Sequence, residues 1–183
     1  MTTRKPSQAR RSLTINRAPV LTLWAAVVAE RLGFNRKEAL TLGRAVAGLN
    51  AYSKGVRLGL FHPAPREVRE KRRKMRDREA VSVDLLNRAV PAKQTPEGLR
   101  ALSRNRPIDP AGVERYLESK FGEALADARE AMSLLARSLP PAQLAGAAYQ
   151  LYEKFRPAVP SGTRGWGAAG KLSLDKIRKL AER

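Results

Sequence analysis

The sequence predicts an all-α protein: a multi-helix bundle with a long antiparallel helical hairpin, a basic N-terminal arm and a Gly-rich C-terminal loop. Three observations carry that prediction. Apolar residues recur at spacings of three and four between positions 113 and 155. Helix-starting and helix-stopping residues bracket the apolar runs. The hydrophobic fraction of 43% is enough for a core, yet no sheet and no row of aromatics is apparent.

Residues 1–17 are expected to be a flexible basic arm, with Arg4, Lys5, Arg10, Arg11 and Arg17 among Ser and Thr. The first 29 residues contain no acid, as in some mitochondrial presequences, but Pro6 and the lack of an apolar face make a poor amphipathic helix. No small-residue cleavage site follows an apolar core, so no secretory signal is expected.

Residues 18–62 read as an apolar helical hairpin. The first helix, 19–32, is dense in Val, Leu and Ala around Trp24 and ends at Gly33, which suits a C′ cap where φ is positive. Asn35 is placed to cap the next helix, with Glu38 completing a capping box, and that helix runs to about Asn50. Gly55 and Gly59 loosen the chain before Pro63 and Pro65, and Pro65 opens a third helix.

Residues 63–80 form an exposed basic helix. Its core, REVREKRRKMRDRE over 66–79, has Val68 and Met75 as its only apolar residues, so it cannot bury a face. Glu67 to Lys71 and Glu70 to Lys74 are favourable i,i+4 pairs.

Residues 81–160 are expected to be a helical scaffold, with short helices over 84–90 and 96–103 separated by a loop at 91–95. Asp109 and Pro110 then start a long helix whose stripe is Val113, Leu117, Phe121, Leu125, Ala128, Met132, Leu135 and Leu139. Pro140 and Pro141 end it, and a partner with the stripe Leu144, Ala148, Leu151 and Phe155 folds back as an antiparallel neighbour. Residues 161–183 form a Gly-rich loop around Arg164 and Trp166 and a terminal helix that gives Ile177 and Leu180 to the core. The loop has neither Walker spacing nor a flanking strand.

The 183 residues carry 36 Lys and Arg against 17 Asp and Glu, a formal charge of +19. A field of that size attracts phosphate polymers, and the 25 Arg among the cations add a fork that grips phosphate in two places. Residues 1–80 hold a net +13 and 81–183 a net +6, so the binding face is expected in the first half. The uncharged apolar run at 18–29 is too short to span a bilayer, and no transmembrane helix is expected.

Cysteine is absent, and the single histidine, His62, sits in a Pro-rich stretch, so neither a zinc site nor any other metal or cofactor is expected. No paired carboxylates and no Ser/His/Asp set stand out, which points away from an enzyme.

Residues 25–44 resemble the helix-turn-helix class of DNA-binding motif. Ala29 is the small residue at the helix crossing, Gly33 stands in the turn, and Val28, Leu32, Phe34, Ala39 and Leu42 are apolar at the interior positions. The resemblance implies a recognition helix over 36–46, with Asn35, Arg36, Lys37, Thr41 and Arg44 facing the groove. After Glu38 that helix is largely apolar, so the same residues also suit a buried hairpin or a dimer element.

The expected function is DNA binding, architectural or regulatory, through phosphate contacts by Arg4, Lys5, Arg10, Arg11, Arg17, Lys54, Arg57, Arg69, Arg72, Arg73 and Arg76 besides the helix-turn-helix residues. Duplex DNA is favoured over RNA because stacking aromatics are few. The alternatives are an RNA- or ribosome-associated protein and a helical oligomer joined through 19–49 or 110–155. A cytoplasmic or nucleoid-associated location follows, nuclear or mitochondrial in a eukaryote.

Overall fold

The computed structural model describes residues 11–59, 62–76, 80–159 and 168–183. It is a mixed α/β structure, which corrects the all-α prediction. In chain order the elements are β1 Ser12–Asn16, α1 Arg17–Arg31, α2 Arg36–Arg57, α3 Arg66–Arg76, β2 Val81–Leu85, β3 Arg88–Thr95, β4 Gly98–Ser103 and β5 Arg106–Pro107. There follow α4 Pro110–Phe121, α5 Leu125–Arg137, α6 Pro141–Phe155, β6 Ala169–Ser173 and α7 Leu174–Ala181.

Helix α1 is the centre of the protein. Every residue from 19 to 29 is buried, as expected of a helix that is apolar all round. It packs against α2, α4, α5 and α6. The α1–α2 approach is set by Gly43: a Cβ there would run into Thr22 O and lie 2.8 Å from Ala26 N. Across α1, the Trp24 indole donates to Ala148 O at 2.9 Å and meets the Phe155 ring edge-on at 5.3 Å, which anchors α6.

The segment expected as two short helices is instead an antiparallel meander, β2-β3-β4-β5. Its turns explain why. Leu86-Asn87 and Arg104-Asn105 both have positive φ at two successive residues (48° and 60°, 51° and 64°), the pattern of type I′ hairpin turns whose twist matches the strands they join. Thr95-Pro96-Glu97-Gly98 closes the middle hairpin, with Gly98 at φ 115°. One face, with Leu85, Val90, Ala92, Leu99 and Ala101, is buried against α2.

The long helix expected over 109–139 is broken. Gly122 takes φ 56° and a short 3-10 turn, Gly122–Ala124, redirects the chain between α4 and α5. The predicted stripe survives the break, since Val113, Leu117, Phe121, Ala128, Met132 and Leu135 are all buried. The expected hairpin partner packs differently: α5 lies on α1 and α7, and α6 lies on α1 with Tyr152 rather than Leu151 in its buried stripe. Burial pushes the Tyr152 phenol up to about 12, against the smaller opposing pull of Arg17 and Arg156.

Residues 12–16, assigned to the arm, form β1 and pair antiparallel with β6, with Leu13 opposite Leu172 and Ile15 opposite Gly170. Gly170 allows a close approach, because a Cβ there would collide with Ala158 O. Among the described residues no helix is long and apolar enough to cross a membrane.

Candidate nucleic-acid interface

The residues assigned to a reading helix are placed by α2. Asn35 is its N-cap: the Asn35 side chain accepts from Glu38 N at 2.9 Å and Glu38 Oε1 accepts from Asn35 N at 3.1 Å, the predicted capping box. Glu38 has a second role, because its Oε2 accepts from Leu99 N at 2.8 Å. Thr41 is fully buried; its hydroxyl donates to Glu38 O at 2.8 Å and accepts from Ala101 N at 3.1 Å. These two side chains serve the free edge of β4 where no strand pairs with it.

Arg36 donates to Glu114 at 2.8 Å, and Glu114 also takes Arg129 at 3.4 Å, which lies 3.9 Å from Glu30. This network ties α1, α2, α4 and α5 together. Desolvation, and then the charge of Arg36, lower the Arg129 pKa, opposed by Glu114 and Glu30. The Arg44 guanidinium sits 4.4 Å from the centre of the Tyr116 ring, whose phenol is pushed up by burial and pulled back by Arg44. Lys37, by contrast, is exposed without a partner among the described residues.

The remaining predicted contacts fall into three groups. Arg4, Lys5 and Arg10 lie outside the described residues, as do Arg164 and Trp166. Arg11 lies 3.9 Å from Asp175, and Arg17 donates to Pro157 O at 3.0 Å, so both serve the junction of β1 with the C-terminal segment. Lys54 and Arg57 are exposed on the last turn of α2.

Arg69, Arg72 and Arg73 are exposed on α3 together with Lys71 and Lys74, and none of the five has a partner among the described residues. Arg76 ends the helix, and its side chain lies outside the described part of the structure. Among the described residues of this helix Arg66 pairs with Glu70 at 3.0 Å, in place of the predicted Glu67–Lys71 and Glu70–Lys74 pairs.

The structure adds a cationic element that sequence reading missed. The tip of the β4–β5 hairpin carries Arg104, Asn105 and Arg106, all exposed. Arg104 and Asn105 share with Arg72 of α3 an open cleft of about 500 Å³, completed by Pro91 and Leu102. The signal was present as Arg-Asn-Arg between apolar strands, since Asn tolerates the left-handed conformation that the turn requires.

Among the described residues no three Asp, Glu or His side chains gather to hold a metal ion. Comparison of the chain with protein-family models, with curated proteins and with solved structures finds no match.

Proposed function

We propose that this protein binds duplex DNA by gripping its phosphate backbone, with the exposed cations of α3 and of the β4–β5 hairpin tip as the principal contacts. The observation that carries the reading is the state of α3. Its apolar Val68 is itself 39% exposed and no residue from 66 to 74 is buried, while five of its cations lack internal partners among the described residues. Such a helix is better explained by an external anion than by the fold.

The reading is architectural rather than base-specific. Asn35, Arg36, Thr41 and Arg44 are engaged within the protein, which favours contacts that carry no sequence information. Changing Arg69, Arg72 and Arg73 to Glu is expected to weaken binding to all duplex sequences alike. It should also flatten the salt dependence, by roughly 0.9 log unit per log unit of salt for each phosphate that is no longer neutralised. An unchanged slope would overturn the reading, and preference for folded RNA in a competition at fixed salt would give the site to RNA instead.

A further inference from the structure

We propose that the cleft between α3 and the meander holds a single nucleotide unit, its phosphate between Arg72 and Arg104 and its base against Pro91 and Leu102. The proposal rests on the nucleic-acid reading of the same surface and goes further, because a grip on continuous backbone needs no apolar wall.

That wall follows from the strand register. Ala92 pairs with Ala101, so the next step along the ladder sets Pro91 beside Leu102, and Leu102 pairs in turn with Pro107. This row lies on the face of the sheet turned away from α2, where the neighbouring positions on β2 are the exposed Ser82 and Asp84. Pro91 and Leu102 are apolar beside these polar positions, and both remain only partly covered.

The ladder also ends at this point for a chemical reason. Leu99 N and Ala101 N point to α2, so the amides that point to β3 are those of Arg100 and Leu102. Opposite Leu102 a reciprocal amide would be needed, and Pro91 has none. The β3–β4 pairing stops at Ala92 and Ala101, and the cleft lies where it stops.

Charge is delivered to the same place from two directions. Arg72 comes from α3 and Arg104 from the type I′ turn between β4 and β5 (φ 51°). Neither guanidinium has a partner among the described residues, and each carries a fork that suits phosphate oxygens. Asn105 supplies an amide that can donate to and accept from a base edge. The volume, about 500 Å³, falls in the range of small-ligand sites and is more than a phosphate alone requires.

Bases of a continuous duplex are stacked inside it, so this subsite would favour a gap, a bulge or an end. The test titrates the full chain with a deoxynucleoside 5′-monophosphate, with inorganic phosphate, and with two duplexes of equal charge, one continuous and one bearing a single unpaired nucleotide. Binding is read by calorimetry, and amide shifts in the nuclear magnetic resonance spectrum locate the site. The mononucleotide should bind at least about fivefold more tightly than phosphate, and the interrupted duplex should exceed the continuous one by a similar factor. Leu102→Ser should erase both preferences. Arg104→Gln, at an exposed tip whose change spares the core, should weaken mononucleotide and phosphate together.

Equal binding of mononucleotide and phosphate, or shifts that avoid Leu102, Arg104 and Asn105, would overturn the proposal even if duplex binding stands. Mononucleotide binding at the cleft without any duplex binding would instead remove the duplex reading and leave the cleft as a site for free nucleotides.

Discussion

Helices α2 and α3 follow one another in the chain, and five polar residues at the start of α2 are used in the opposite way to five cations at 69–74 of α3. In α2, Asn35, Arg36, Glu38, Thr41 and Arg44 each have a partner in the protein: a cap, a carboxylate, a strand amide or a ring. In α3, Arg69, Lys71, Arg72, Arg73 and Lys74 have none among the described residues. The difference teaches that a cation count locates a binding face poorly. Pairing within the fold decides which charges remain for a ligand.

This contrast can be broken by substitution, and the largest effect belongs to the core around α1. Trp24→Ala removes a fully buried ring, its hydrogen bond to Ala148 O and its contact with Phe155, and should cost about 3–5 kcal/mol in chemical denaturation. Gly43→Ala forces a methyl into the α1 backbone and should cost about 1–3 kcal/mol in the same assay. A neutral result would mean that α1 and α2 do not meet closely at Gly43.

Thr41→Val tests the contrast directly. It leaves the Ala101 amide buried without an acceptor and should lower stability by about 1–3 kcal/mol, while DNA affinity of the folded fraction stays unchanged. A loss of affinity with stability intact would return α2 to the role of reading helix.

Alkaline titration is a finer probe. Tyr152 keeps its proton in the folded protein up to about 12, whereas the unfolded chain ionises near 10.0. The folded state therefore binds more protons between those values. The stability from this group is complete below pH 10, declines as pH rises, and is gone above 12. Tyr152→Phe should make the fall in melting temperature over that window shallower than in the wild type. The smallest effect on stability belongs to α3, where charge reversal at Arg69, Arg72 or Arg73 should shift it by no more than about 0.5 kcal/mol each.

Local chemistry was legible in the sequence wherever a residue acts on its near neighbours. The Asn35–Glu38 capping box, the Gly33 turn and the Asp109-Pro110 helix start all stand where the sequence places them. The meander was not legible, because its strands are short, β3 is interrupted by Pro91, and Lys, Ala and Gln stand where β-branched residues would have marked it. What forms those strands is the paired left-handed residues at 86–87 and 104–105 and the packing against α2, which is a matter of distant contacts. Gly122 was hidden for a related reason: the apolar stripe continues through it in phase, so periodicity alone cannot reveal the break.

The candidate interface was half legible. Exposure of α3 followed from its composition, but the convergence of Arg72 with Arg104 depends on bringing residues 32 positions apart to one cleft. Thr41 and Glu38 show the converse, since side chains of the right type for a groove are engaged by strand amides about 60 residues away.

That engagement has a consequence for self-association. An uncovered strand edge with free amides is a template for pairing with another chain, and proteins commonly blunt such edges with charge or proline. Here a helix stands in for the missing strand at Leu99 and Ala101. Fraying of the first turns of α2 would bare that edge, so the two side chains that close it also guard the protein against aggregation.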